Sequence, residues 1–271
     1  MNARTQDFLC PDQLTARLAG TGHRCRVEVV DQTGSTNSDL VNACRETATA
    51  LPWLKVARHQ SAGRGRLGRA WLAEPGQALL FSLAQPIATT PAQVPAVTLV
   101  CGIALASVCR AHQVPAAIKW PNDLWIGERK LAGILCEMST DAHGQRSLVI
   151  GVGLNLALDA HARSALPNAA ALDEFDPDAA TPAGRLAWIS ELASALLSAC
   201  ADFETRGFAP WRARWPALDA MARKAVVVRQ GESEVLRGEA QGIDEFGRLR
   251  VADEHGHVVM VHSGEVSLRP A

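Results

Sequence analysis

The sequence lacks a long apolar run that could cross a membrane. Its longest uncharged apolar stretch runs from Val94 to Cys109 and contains a proline, which makes it short for a membrane span and suits a buried helix. The N-terminal sequence MNARTQDFLCPDQ contains no apolar segment typical of a secretory signal. We therefore expect no membrane association and a cytoplasmic location.

The sequence also lacks the motifs of several enzyme classes. It contains no GxxxxGK[ST], HExxH or GxSxG, which argues against a P-loop, a zinc peptidase and a serine hydrolase. Its seven cysteines are widely spaced and form no CxxC pair, so we predict buried free thiols rather than a metal site or a disulfide framework. With a net charge of -1, the chain as a whole has no polyanion-binding character.

What is present is the composition of a globular protein. The chain has 271 residues, 48% of them hydrophobic, enough for a core that needs no disulfide or metal. Hydrophobic periodicity predicts helices over residues 12–20, 95–112 and 181–208, a helix that begins at 35–37, and a shorter helix through 211–215. It predicts strands over residues 25–33, 53–60, 78–87, 116–120, 124–127, 130–139 and 147–158, and a loop over residues 159–180.

The order of these elements predicts an α+β fold. Because strands and helices do not alternate strictly, we expect a mixed or antiparallel sheet flanked by helices. After Lys224 the remaining chain contains short strands separated by turns and no helical pattern, which predicts a small closed β-barrel. We place the two domains at residues 1–222 and 223–271.

The segment 63–69, GRGRLGR, is a candidate functional loop. It fits the form GxGxxG, but no acidic residue follows at the distance that a dinucleotide-binding turn requires. A solvated basic loop is a second interpretation. We favour a third, a mobile loop that closes on an anion, because backbone N–H groups and guanidinium groups both suit phosphate.

Lysine is rare, and its positions are informative. Only four of the 27 basic residues are lysines, and two of them, Lys119 and Lys130, flank the turn in KWPNDLWIGERK. A compact ammonium at these places indicates a site, and two solvated strand lysines are the alternative. Gly133 lets a ligand approach the backbone. Asn155 lies in an apolar strand and needs a hydrogen-bond partner, either within the protein or in a ligand.

Five segments resemble the successive motifs of biotin protein ligases, in the order and at the spacing of that family. They are GSTN (34–37), QSAGRGRLGRAW (60–71), KWPNDLW (119–125), RKLAGILCE (129–137) and VIGVGLNL (149–156). The β-rich C-terminal segment resembles the small SH3-like barrel of the same family. The resemblance implies a catalytic domain related to class II aminoacyl-tRNA synthetases and lipoate ligases.

The resemblance also implies a reaction in two steps. The carboxylate of biotin attacks the α-phosphate of ATP, which enters with Mg²⁺ and needs no dedicated protein metal site. A lysine amine of a biotin carboxyl carrier protein then attacks the biotinyl-adenylate. Cations are needed because an anionic nucleophile and an anionic phosphate must come together.

Carried over to this chain, the resemblance implies two sets of residues. We call them the biotin group, which contacts biotin, and the nucleotide group, which contacts ATP or the adenylate. The biotin group comprises Ser35, Thr36, Asn37, Gln60, Arg64, Gly65, Arg66, Lys130 and Gly133. The nucleotide group comprises Arg66, Arg69, Trp71, Lys119, Asn122, Lys130 and Asn155.

The resemblance implies catalytic roles for three residues, Arg66, Lys130 and Asp123. Arg66 would cover the biotinyl and phosphate groups, and Lys130 would contact the carboxylate and the α-phosphate. Asp123 would orient the incoming lysine or accept its proton. The resemblance also implies that Arg69 steadies the loop and that Trp71 stacks near adenine.

Bifunctional members of the family carry a winged helix-turn-helix before the STN motif. Here the segment that precedes Ser35 is short and has one helical pattern, so we expect a monofunctional ligase that does not bind DNA. Two other functions stay open, a lipoate or octanoate ligase of the same fold and a non-catalytic regulator that senses biotin. A homodimer through a free sheet edge is also open.

Overall fold

The computed structural model describes residues 9–264 and 266–270. The strands are β1 (Arg26–Thr33), β2 (Trp53–Gln60), β3 (Ala78–Pro86), β4 (Ala117–Lys119), β5 (Asp123–Ile126), β6 (Arg129–Thr140), β7 (Arg146–Asn155), β8 (Ala225–Gln230), β9 (Ser233–Ile243), β10 (Leu249–Ala252), β11 (Val258–Val261) and β12 (Val266–Pro270). The α-helices are α1 (Pro11–Gly20), α2 (Thr36–Glu46), α3 (Val94–Ala111), α4 (Ala160–Ala165), α5 (Pro182–Arg206) and α6 (Ala209–Arg212). The prediction about a secretory signal falls largely on residues outside the described part.

The larger part of the chain is built on a mixed sheet, as predicted. Its strand order is β1-β2-β3-β7-β6-β5-β4. β1 and β2 are parallel, and every other neighbouring pair is antiparallel. The consecutive strands β4, β5 and β6 are neighbours and form an antiparallel meander.

Helices cover both faces of this sheet. α3 and α5 pack against each other and belong to the main core. By length and composition alone the segments Pro91–Ala111 and Pro182–Arg206 could cross a membrane, but 67% and 61% of their most apolar windows are buried inside the protein. Both helices therefore place their apolar residues against the protein core.

On the opposite face, α2 and the strands form a second, smaller core of Leu40, Val41, Cys44, Ala84 and Val149. Beside it, the ammonium of Lys55 on β2 contacts carboxylates of Glu28 on β1 and Asp39 on α2, at 2.9 and 3.0 Å. These contacts tie the first turn of α2 to β1 and β2.

The prediction of a loop over residues 159–180 was wrong in part. The segment contains the short helix α4 and a 3-10 turn at Leu172–Glu174. α4 begins because the Asp159 side chain accepts a hydrogen bond from the Ala162 N–H, which satisfies a free donor of the first turn. The Glu174 carboxylate holds the 3-10 turn by accepting hydrogen bonds from Arg129 and Arg163.

The C-terminal part is a five-stranded antiparallel sheet in the order β11-β10-β9-β8-β12. This agrees with the predicted small β-domain, and its boundary at residue 223 stays a prediction. The Trp120 indole N–H donates to the Gly247 carbonyl at 3.0 Å, so a turn of this sheet lies against the loop between β4 and β5. The C-terminal sheet is thereby held beside one end of the large sheet.

Candidate active site

A cavity of about 160 Å³ lies over the middle strands of the large sheet. Its walls are the first turn of α2, the loop at residues 61–71, the turn between β4 and β5, and β12 of the C-terminal sheet. The predicted site residues that line it are Ser35, Thr36, Asn37, Gln60, Arg64, Gly65, Arg66, Arg69, Trp71, Lys119, Asn122, Asp123, Lys130 and Gly133. Segments distant in the sequence thus meet at one place.

One end of the cavity is a buried network of neutral polar groups. Ser35 caps α2 by accepting from the Ser38 N–H. The Thr36 N–H and hydroxyl both donate to the Gln60 side-chain carbonyl, at 2.7 and 3.0 Å. The Thr36 hydroxyl also lies 2.8 Å from that of Ser82 on β3. The start of α2 is therefore tied to β2 and β3.

Asn37 completes this end. Its side chain is buried, and its Nδ2 group donates to the Glu137 carboxylate. Its Oδ1 atom is buried without a hydrogen-bond partner among the described residues. A Cβ atom at Gly151 would lie 2.7 Å from this Oδ1, so the strand can accommodate Asn37 only because residue 151 is a glycine.

The loop that was predicted to close on an anion has a defined hairpin-like structure. The Gly65 N–H donates to the Arg69 carbonyl at 2.7 Å, and the Trp71 N–H donates to the Gly63 carbonyl at 2.9 Å. At its tip Leu67 adopts a φ of 57°, in the left-handed region. The loop therefore reaches this closed form through its own backbone hydrogen bonds.

Two arginines of the loop have protein partners. Arg64 donates to the Ser38 hydroxyl at 2.9 Å and to the Glu137 carboxylate at 2.5 Å.

Arg66 donates to the Asn122 side-chain carbonyl at 3.3 Å and to the backbone carbonyls of Ser263 and Gly264. Burial lowers the pKa of the Arg66 guanidinium, the nearby Asp123 carboxylate opposes that effect, and Arg69 adds to it.

Trp71 fills the space above two glycines of the sheet. A Cβ atom would lie 2.5 Å from the Trp71 ring at Gly153 and 3.1 Å from it at Gly133. The Lys130 ammonium is 5.4 Å from the ring centroid, and the indole N–H is buried without a partner among the described residues. Gly133 was expected to admit a ligand; in this structure both glycines admit the indole.

The other end of the cavity is cationic. The Lys130 ammonium contacts the Asp123 carboxylate at 2.8 Å. Lys119 is only 7% exposed, and its ammonium lies 4.6 Å from the Trp125 ring centroid.

Burial lowers the pKa of Lys119 from 10.5 to about 8. The Asp123 carboxylate opposes this effect, whereas the positive charges of Arg269, Lys130 and Arg69 add to it. An ammonium that is desolvated in this way favours a nearby anion.

The side chains of Asn122 and Asn155 donate hydrogen bonds to backbone carbonyls in this structure. The Asn122 Nδ2 group donates to the Ile134 carbonyl at 2.8 Å, while its Oδ1 faces Arg66. Asn155 lies outside the cavity lining, and its Nδ2 group donates to the carbonyls of Lys130 and Ala170 at 3.1 and 3.0 Å. Of the two partners considered for Asn155, the structure has the one within the protein. Its contact with a nucleotide stays a prediction.

Several residues at the site were not found from the sequence. Ser82 gave a usable signal, because it is polar within an apolar strand. Glu137 gave another, because it shares a strand face with Gly133 under the two-residue alternation of β6. Leu268 and the Ser263 carbonyl gave none, because they lie far along the chain from the other walls.

The chain is similar to known proteins over both its larger part and its C-terminal part. The Biotin/lipoate A/B protein ligase family matches residues 29–155, and the Biotin protein ligase C terminal domain matches residues 224–269. The bifunctional ligase/repressor BirA of Escherichia coli is 34% identical over 263 residues, which are 96% of this chain and 78% of that protein. The biotin--[acetyl-CoA-carboxylase] ligase of Mycobacterium tuberculosis is 36% identical over 275 residues, covering 94% of this chain and 92% of that one.

A solved structure shows the same fold. The biotin protein ligase from Aquifex aeolicus in complex with biotin and ATP superimposes with a TM-score of 0.74 at 24% identity, covering 91% of this chain and 99% of that chain.

Proposed function

Since this chain belongs to the biotin protein ligase family, we infer that it is an ATP-dependent ligase that forms biotinyl-5′-AMP and transfers the biotinyl group to a lysine of a biotin carboxyl carrier protein. The observation that carries this conclusion is the composition of the cavity. One continuous site joins a buried end of neutral polar groups, closed by the Arg64–Glu137 ion pair, to an end with two lysines and two arginines. A substrate with a polar ring and a carboxylate, placed against a nucleotide triphosphate, matches that division.

We assign the neutral end to the ring of biotin. The buried Asn37 Oδ1 needs a donor, because burying such a group unpaired costs free energy. The stacking of Trp71 near adenine stays a prediction. The ureido group of biotin has N–H donors and a carbonyl acceptor. Ser35, Thr36 and Gln60 complete the polar wall.

We assign the cationic end to the reacting carboxylate and the phosphates. Lys119 and Lys130 neutralise charge there, and Arg66 covers it from the loop. Lys130 exchanges its contact with Asp123 for the substrate carboxylate and the α-phosphate. Arg69 adds positive charge from the base of the loop.

In the first step, a carboxylate oxygen of biotin attacks the α-phosphorus, and the bond from that phosphorus to the bridging oxygen of the β-phosphate breaks. Pyrophosphate leaves with the electron pair. The positive charges stabilise the transition state because negative charge is concentrated on the phosphoryl oxygens; one such group is worth roughly 10²–10³ in rate.

In the second step, the acceptor amine attacks the carbonyl carbon of the mixed anhydride, and AMP leaves with the electron pair. The amine must lose a proton, and we assign Asp123 either to orient the amine or to accept that proton. Lys130 leaves Asp123 in the first step, which frees the carboxylate for this role.

Mg²⁺ enters with ATP in this proposal. Within residues 9–264 and 266–270, no group of three or more His, Cys, Asp or Glu side chains could hold a metal. Asp123 supplies a carboxylate at the cavity, where Lys130 neutralises it. The residues present suit an ion carried by the phosphates rather than a resident metal.

The acceptor protein and the cellular location are further parts of this proposal. The acceptor is a carboxylase subunit by analogy with the names of the relatives. A monofunctional chain without DNA binding, a homodimer and a cytoplasmic location stay predictions. A lipoate or octanoate ligase and a biotin-sensing regulator are the alternatives that an experiment must exclude.

The test combines biotin titration calorimetry, with and without ATP, and ATP–pyrophosphate exchange. We expect exchange that depends on biotin, and tighter binding of biotin when ATP is present. Exchange driven by octanoate or lipoate in place of biotin would establish the first alternative. Biotin binding without any exchange would establish the second.

A further inference from the structure

Glu137 joins the two segments that close the neutral end of the cavity. It lies on β6, on the same strand face as Gly133 and Leu135, which line the cavity. Its side chain is 28% exposed. One carboxylate oxygen accepts from Arg64 on the loop, and the other accepts from the Asn37 Nδ2 group on α2.

The contact with Glu137 fixes the direction of the Asn37 amide, whose carbonyl end lies against Gly151 of the cavity lining. A carboxylate accepts hydrogen bonds and cannot donate them, so it binds the NH₂ end of the amide. The carbonyl end, Oδ1, is then directed away from Glu137. Asn37 is 4% exposed, and its Oδ1 has no donor among the described residues. Without the carboxylate, the amide could flip end for end and present NH₂ instead.

We propose that Glu137 is a positioning residue for head-group selection: by fixing the Asn37 amide, it makes the neutral end of the cavity an acceptor site for a ring N–H. The inference rests on the proposed function. A biotin ring supplies the donor. An alkyl chain or a dithiolane ring leaves Oδ1 buried and unpaired, and a site built for a hydrogen bond rejects ligands that lack the partner.

The Glu137 carboxylate also anchors the loop at residues 61–71, through its contact with Arg64. Arg64 reaches both Glu137 and the Ser38 hydroxyl, so the loop keeps one anchor on α2 when Glu137 is lost. The effect on Asn37 therefore has to be separated from the effect on the loop. The double variant with Asn37 makes that separation.

The experiment measures biotin affinity by calorimetry, and the KM for biotin, the KM for ATP and kcat by pyrophosphate exchange. The variants are Glu137→Ala, Glu137→Gln, Asn37→Ala and the double variant Glu137→Ala/Asn37→Ala. We expect Glu137→Ala to raise the KM for biotin about tenfold, the size of one neutral hydrogen bond, and kcat at saturating biotin to change less than about threefold. Octanoate binding should weaken less than biotin binding.

Two results would distinguish a positioning role of Glu137 from a merely structural one. Glu137→Gln keeps an acceptor for Asn37 Nδ2, so we expect its biotin affinity within about threefold of wild type. The double variant should bind biotin about as well as Asn37→Ala alone, because Glu137 acts through Asn37. Losses that add in the double variant, or equal losses in Gln and Ala, would overturn the inference.

Asp202→Ala is the matched control for folding. Asp202 also bridges two donors, Arg206 and Trp211, and lies outside the cavity. We expect lower stability with unchanged biotin affinity. If Glu137→Ala fails to fold, Glu137→Met tests the same loss of the acceptor with a side chain of similar length. If the wild-type protein shows no biotin-dependent exchange, the proposed function and this inference both fail; if only the variants depart from expectation, the inference alone fails.

Discussion

The two ends of the cavity are constructed differently. At the neutral end, one helix start and two adjacent strands hold their polar groups in short hydrogen bonds within the protein, as Thr36 does with Gln60. At the cationic end, Lys130 and Arg66 are engaged with groups that a substrate must replace: a carboxylate in one case, and carbonyls of the C-terminal segment in the other.

The difference follows from the part of the substrate that each end binds: an unreactive ring at one end and reacting charged groups at the other. A ring that does not react can be recognised by a rigid network, which loses little entropy on binding. A carboxylate and a phosphate that react need positive charges, and partly buried charges without a ligand need temporary partners. We therefore expect substitutions at the neutral end to change binding, and substitutions at the cationic end to change rates.

Among the substitutions that test this difference, Lys130→Ala has the largest expected effect. We expect adenylate formation to fall by roughly 10²–10³, because a cation that stabilises the phosphoryl transition state is removed. Biotin affinity should fall far less. Single-turnover pyrophosphate release and calorimetry measure the two effects, and Lys224→Ala, an exposed lysine outside the cavity, is the control. Equal losses in rate and affinity would assign Lys130 to ground-state binding.

Gly153→Ala tests the packing between the two ends. The new Cβ would lie 2.5 Å from the Trp71 ring, and such overpacking costs about 1–3 kcal/mol in the free energy of unfolding. Urea unfolding measures it. Gly102→Ala, whose Cβ would meet Ile118 at 3.6 Å, is the control without a clash. Combining Gly153→Ala with Trp71→Ala should recover part of the loss, and additive losses would contradict the steric explanation.

Arg66→Ala should leave the fold intact and release the adenylate about tenfold faster, since one charge-assisted contact over the intermediate is lost. The off-rate of biotinyl-5′-AMP is the measurement. Arg223→Ala serves as control, because Arg223 is 89% exposed and outside the cavity. An unchanged off-rate would show that the loop backbone, rather than the guanidinium, retains the intermediate.

The smallest expected effect is on pH dependence. The Lys119 pKa is lowered to about 8, so its positive charge is present below that pH and is lost as the pH rises through it. The KM for ATP should increase several-fold between about pH 7 and pH 9, because the fraction of Lys119 that is deprotonated rises over this range. The KM for biotin should change less. Lys119→Met should abolish this dependence, and a variant that retains it would assign the titration to another group.

Much of the fold followed from periodicity and turn chemistry. The helix from Pro182 was predicted to within two residues at its end, because its apolar period is regular and Gly207 ends it with a φ of 68°. The segment 159–180 was missed in part, because α4 depends on the Asp159 cap and the 3-10 turn on ion pairs of Glu174. A sequence pattern does not contain such partners.

The site was predicted through residue types rather than contacts. Gly133 was recognised as a place of close approach, but only the structure identifies the indole of Trp71 as its neighbour. The Arg/Gly loop was recognised as cationic, yet its closed backbone hydrogen bonds were not expected. Asn155 was recognised as a polar residue in need of a partner, and its partners are the carbonyls of Lys130 and Ala170.

The sequence by itself determined which chemical groups this protein has and on which elements they lie, because capping, strand alternation and turns act over a few residues. The tertiary structure alone decided which groups face each other: Glu137 with Asn37, and Arg66 with the carbonyls before β12. Such contacts join segments that are distant in the chain, and only the packing of the sheets brings them together.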